Sequence, residues 1–167
     1  MKALIVYDST YGNTEQVAQA MTTALAGQAD VTMRRVADVT AEQLSGVDLL
    51  IVGAPTQGFQ PTAAIKALLE RIPAQGLQGV QVAAFDTRIT TADMHSWLLT
   101  FLVKRFGYAA RPIADRLQQK AGELVAPPEG FLVQGKEGPL RQGELVRAAD
   151  WAKQVMATVL ASAPVPA

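Results

Sequence analysis

Val6-Tyr7-Asp8-Ser9-Thr10-Tyr11-Gly12-Asn13-Thr14-Glu15-Gln16-Val17-Ala18 runs out of an apolar segment, through small polar residues, into a helical pattern. Before it, Ala3–Tyr7 is a short continuous apolar run; after it, Val17, Ala18, Met21 and Leu25 recur at helical spacing. Strand, polar turn and helix in that order open a βα unit. A helix beginning near Asn13 or Thr14 leaves its first N–H groups without intrahelical partners and carries roughly half a positive charge at that end. The hydroxyls of Ser9, Thr10 and Thr14 stand beside it, and Gly12 lets the backbone curl, so the turn suits an anion. Yet the stretch holds no Lys or Arg. Enough neutral dipoles can hold a phosphate monoester that stays bound, without the lysine used by sites that transfer phosphate. Taken alone, the same residues would equally suit a plain capped turn.

The rest of the chain repeats the alternation. "VDLLIVGA" (47–54) and "VQVAAF" (80–85) are short and rich in β-branched or small apolar residues, and the first is continuous, as in strands buried on both faces. "VTMRRV" (31–36) alternates and predicts a half-exposed edge strand, while "ELVA" (123–126) predicts a fifth strand that "FLV" (131–133) extends beyond "PPEG". Helical spacing is found over 14–25, 62–72, 94–106, 112–120 and 145–160. Strands alternating with helices imply right-handed crossovers and a parallel sheet with helices on both faces. Five strands fit the order 2-1-3-4-5 of a three-layer α/β sandwich, which also sets the alternating second strand at an edge. One domain is expected over 1–160, followed by a flexible Pro/Ala-rich tail over 161–167.

Composition closes several function classes. The 15 basic and 15 acidic residues cancel and are dispersed, so no electrostatic footprint for nucleic acid or a membrane surface exists. No segment is long and apolar enough to span a bilayer, and a cytoplasmic location is the expectation. There is no cysteine, hence no disulfide, thiolate nucleophile or iron–sulfur cluster, and no catalytic residue or metal centre is expected with His95 as the one histidine. Redox chemistry would have to come from a bound cofactor.

In an open parallel sheet, ligands sit beyond the carboxyl ends of the strands where the order reverses. The loops expected there are "DSTYGNT", "GAPTQGFQPT" and "DTRITTAD", all rich in Gly, Ser, Thr or Asp. This shared rim favours a site over a plain turn. Competing motifs fail. No G-x-x-x-x-G-K-[ST] or G-x-G-x-x-G follows the first strand. A phospho-receiver would want a carboxylate where the third strand ends in Gly53-Ala54-Pro55.

"YDSTYGNTE" resembles the phosphate-binding loop of flavodoxins, and "GAPTQGF" is similar to their second flavin-binding loop. The resemblance extends over most of the chain in element order and loop spacing. It implies a flavodoxin-like fold and FMN, with the phosphate held by Ser9, Thr10, Tyr11, Gly12, Asn13 and Thr14. Tyr11 stands where another Thr is common and would offer its N–H. The ring would lie between the second loop, Pro55, Thr56, Gln57, Gly58 and Phe59, and the third, Asp86, Thr87 and Arg88. Phe59 would stack on it, as the only aromatic in those loops, and Gly58 could flip its peptide with flavin reduction. The third loop lacks the tyrosine that flavodoxins often supply, and Arg88 near the N1/O2 edge would stabilise an anionic reduced flavin, or would pair with Asp86 or Asp93. The charge balance also differs from the strongly acidic surface of many flavodoxins.

These features imply an electron carrier working with redox partner proteins. A small NAD(P)H- or quinone-linked flavin reductase on the same fold is the first alternative, and a flavin-free interaction module the second. The apolar helix over 94–106 would be buried in the core or would join two copies in a homodimer.

Overall fold

The computed structural model describes residues 1–44, 46–90 and 96–162. In chain order the elements are β1 (Lys2–Tyr7), α1 (Asn13–Leu25), β2 (Asp30–Arg35), β3 (Leu49–Pro55), α2 (Ala63–Arg71) and β4 (Gln81–Arg88). Then come α3 (Trp97–Phe106), α4 (Ala110–Gln119), β5 (Glu123–Leu124), β6 (Glu129–Leu132) and α5 (Glu144–Ser162). Two 3-10 turns, Val36–Asp38 and Ala41–Leu44, follow β2 and were not visible in the hydrophobic pattern.

The strands form a parallel sheet in the order β2-β1-β3-β4-β5, with β6 also pairing along β4. β5 and β6 are therefore the two halves of the expected fifth strand. Val82 pairs with Leu124 and Phe85 with Glu129, so two residues of β4 face four between the halves. The interruption holds Pro127 and Pro128, which cannot donate to a ladder.

Both faces of the sheet are covered. Leu4, Val6, Leu50, Val52, Val82 and Ala84 pack toward α2 and α4, with Ile65, Leu69, Ile113 and Leu117 as their counterparts. Ala3, Ile5, Leu49, Ile51, Ala83 and Phe85 pack toward α1 and α5, against Val17, Met21, Trp151 and Val155. Successive strand residues point to opposite faces, so double burial is why β1 and β3 read as continuous apolar runs. Each fully buried large aliphatic or aromatic side chain contributes about 1.5–3 kcal/mol. β2 alternates between intermediate and exposed residues, as its edge position predicts. Gly53 has its own packing role: a Cβ there would overlap the ring of Phe85 on the neighbouring strand.

α3 departs from the expectation of core burial. Trp97 is 83%, Leu98 50% and Phe101 58% exposed, while Val103 is buried. A helix apolar around most of its circumference cannot bury every side against one sheet. Asp93, Met94 and His95 lie outside the described residues, as do 163–167; α5 continues through Ser162.

Candidate functional site

Because all strands are parallel, every strand-to-helix loop leaves from one edge of the sheet. The turn between β1 and α1 bends at Gly12, whose φ of 85° lies in the left-handed region. A Cβ at Gly12 would meet nothing within 4 Å. The glycine is thus required by backbone conformation, not by crowding within the protein. Its N–H donates to Ser9 Oγ at 3.0 Å, and the Ser9 N–H donates to Asp8 Oδ1 at 2.9 Å. The main-chain N–H groups of Thr10, Tyr11, Asn13, Thr14 and Glu15 have no acceptor among the described residues. These five neutral donors cluster at the positive end of α1.

Around this turn lies a cleft of about 90 Å³ lined by Ser9, Thr10, Tyr11, Asn13 and Thr14, by Pro55 and Thr56, and by Thr87, Arg88 and Ile89. Free donors and hydroxyls fit a phosphate monoester. The Thr14 and Thr87 hydroxyls lie 2.8 Å apart, joining the first loop to the end of β4. One of them donates to the other, which leaves a single hydroxyl hydrogen for a further acceptor. Ser9 Oγ, already accepting from Gly12, also retains its own hydrogen.

The second loop is a two-residue turn. Gln57 and Gln60 exchange main-chain hydrogen bonds of 2.9 and 3.0 Å, while Gly58 (φ 52°) and Phe59 (φ 67°) both have positive φ. That is the type I′ pattern. Gly58 adopts it freely; Phe59 does so at a cost. Gln57 Nε2 donates to Thr10 Oγ1 at 3.0 Å, which ties this turn to the cleft. Tyr11, Gln57, Gly58 and Gln60 are exposed, while Phe59 is half-buried.

Asp86 is placed differently from its expected position. Its carboxylate is wholly buried, accepts from Arg88 Nε at 2.5 Å, Arg88 Nη2 at 2.7 Å and Ala110 N at 2.7 Å, and does not line the cleft. Burial pushes this carboxyl up, while Arg88 and the Ala110 N–H pull against it. The negative charge sits at the start of α4, where the helix dipole favours it. Thr56 serves the same helix, its Oγ1 accepting from Ala109 N at 3.0 Å. Of the two partners considered for Arg88, the structure shows Asp86. The guanidinium also stacks on Tyr108 at 3.9 Å from the ring centre and lies against Gly130, where a Cβ would overlap it. Arg88 reaches the cleft wall as a cation held from three sides.

Several rim residues escaped the sequence pattern. Arg35, at the end of β2, donates to Ser9 O and lies 3.7 Å from Asp8. Val133 and Lys136, on the loop between β6 and α5, line the cleft opposite the first loop. The topology carried a usable signal, since β2 and β6 end at the same sheet edge as β1, β3 and β4. Tyr7 lies beneath the first loop and donates to Glu15 Oε1 at 2.7 Å; burial and that bond push its phenol up to about 12, so it stays neutral. Among the described residues, no cluster of His, Asp or Glu could hold a metal ion.

The flavodoxin family model matches residues 5–151. The structure is similar to oxidised Flavodoxin 1 of Bacillus cereus, with a TM-score of 0.76, 16% identity and coverage of 94% of this chain and 98% of that one. Flavodoxin 2 of Bacillus cereus gives a TM-score of 0.75 at 21% identity, covering 94% and 99%. The rubredoxin oxygen:oxidoreductase of Desulfovibrio gigas gives 0.71 at 18% identity; 96% of this chain matches 36% of that longer one.

Proposed function

Since the chain belongs to the flavodoxin family, we propose that FMN is seated with its phosphate at the turn opening α1 and its ring beside the Gln57–Gln60 turn and the end of β4. The protein is an FMN-binding electron-transfer protein. When bound, the flavin supplies the electron-accepting and electron-donating chemistry that the side chains lack. The observation that supports this seating most is the group of five unpaired N–H donors around Gly12.

The chain's own residues divide the work. The N–H groups of Thr10, Tyr11, Asn13, Thr14 and Glu15, with the Ser9 hydroxyl and one of the Thr14–Thr87 pair, bind the phosphate. Pro55 and Thr56 shape the cleft wall, and Gln57 holds the second loop to the first. Gly58 and Phe59 offer the ring an amide edge and an aromatic face. Arg88, immobilised by Asp86 and Tyr108, favours negative charge on a group placed beside it.

Titrating the purified protein with FMN and with riboflavin, read by flavin fluorescence, tests the seating. FMN should bind much more tightly than riboflavin, because only FMN carries the phosphate. Equal affinities would refute the phosphate placement.

The electrons pass to redox partner proteins, and balanced charge implies docking with little long-range steering. Among the described residues, no helix is long and apolar enough to cross a membrane. A homodimer through α3 is supported by the exposure of Trp97, Leu98 and Phe101, and sedimentation velocity measures it directly.

A further inference from the structure

We propose that Lys136, carried by the loop between β6 and α5, is a cationic contact to the FMN phosphate, supplying from a distant part of the chain the charge that the first loop lacks. This rests on the phosphate seating proposed above. Lys136 lines the same cleft as Ser9, Thr10, Asn13 and Thr14. It is exposed and forms no ion pair with any described residue.

The loop is fastened to the site. Asn13 Nδ2, at the first residue of α1, donates to Glu137 O at 2.9 Å. Gly138 lies so close to the Asn13 amide that a Cβ there would overlap it. At the base, Gln134 N donates to Pro139 O at 2.9 Å, and Val133 bridges to Leu140. Below that, Leu132 N donates to Glu144 Oε2 at 2.7 Å, joining the end of β6 to the start of α5. Lys136 therefore sits at the tip of a loop braced at its root and tied to the helix whose N-terminus would bind the phosphate.

The neighbouring charges sharpen the assignment. Asp8 has Arg35 at 3.7 Å, and Asp86 has Arg88 in a two-pronged pair, so both aspartates near the turn have a resident cation. Glu15 is hydrogen-bonded to the Tyr7 phenol, and Glu137 adds one more negative charge next to Lys136. Among the described residues at the cleft, Lys136 is the cation left without a partner. A flexible ammonium group with three donors suits a phosphate oxygen as a point charge.

The test compares FMN and riboflavin binding by the parent, Lys136→Gln and Lys136→Arg at low and high salt. Glutamine should weaken FMN by about three- to thirtyfold at low salt, between the range of an exposed ion pair and that of a charge-assisted hydrogen bond. The loss should shrink at high salt, riboflavin affinity should not change, and arginine should retain most of the FMN affinity. Unchanged FMN affinity in Lys136→Gln at low salt overturns the proposal, as does an equal loss for riboflavin, which would mean that the loop is merely structural. A parent that binds FMN no better than riboflavin would instead refute the phosphate seating itself, and this inference with it.

Discussion

At Gly12 the constraint is conformational. Its φ of 85° costs an L-residue about 1–2 kcal/mol, although a side chain there would meet open space. Gly12→Ala should lower stability by about that amount in urea unfolding and weaken FMN, because a relaxed turn no longer aims its N–H groups together. Phe59 has the opposite balance. It holds φ 67° in a turn where glycine would be unstrained. Strain of this kind persists where the surroundings or a ligand justify it. Phe59→Gly should therefore leave the flavin-free protein at least as stable as the parent, while weakening FMN and riboflavin alike. Loss of stability together with unchanged flavin affinity would make Phe59 a packing residue.

Two ion pairs, each with a buried acidic residue, brace the elements around the site, and their carboxyls are shifted in opposite directions. Glu144 opens α5 and joins it to β6 through Leu132 N and Arg147, whose guanidinium also meets Glu129, Gly130 O and the Phe131 ring. Burial opposes its ionisation, but Arg147 and the Leu132 N–H outweigh burial and hold the carboxyl below its ordinary 4.5. A depressed carboxylate contributes stability above its unfolded pKa and loses it as pH falls through the folded value. Glu144→Gln should thus cost about 1–2 kcal/mol at neutral pH, with the gap in melting temperature closing below pH 4.5. Asp86 lies the other way, its carboxyl raised by burial above the ordinary 3.8. Arg88→Met strands that carboxylate and should cost about 3–5 kcal/mol at neutral pH. The deficit should narrow as pH falls and the folded state takes up the proton, which thermal melts from pH 7 to 4 would reveal.

Over the whole molecule, the sandwich and its ligand form one thermodynamic system. Free FMN at a hundredfold excess over its dissociation constant adds about 2.7 kcal/mol. For a chain of 167 residues this should raise the melting temperature by roughly 5–10 °C. Riboflavin at the same concentration should raise it less, as it lacks the group that the α1 turn would hold. The sheet order, the double-sided core and the first two rim loops were legible in the chain, because they depend on local periodicity and on the turn residues Gly12 and Gly58. Double burial writes continuous apolar runs, an edge strand writes alternation, and a helix start writes its own polar prelude. The exposure of Trp97, Leu98 and Phe101 was not legible, since the pattern of α3 records apolarity but not which side meets the sheet. The pairing of Arg88 with Asp86 was among the expectations, but the full burial of Asp86 was not, since it depends on Ala110 and the space above Gly130 coming together across the elements. The sequence alone determined a cradle of neutral donors with Arg88 among the expected residues of the third loop; only the tertiary structure decided that Arg35 and Lys136 stand around it as well. Parallel strands release all their loops at one edge, so charges far apart along the chain become neighbours there, and no local pattern records that distance.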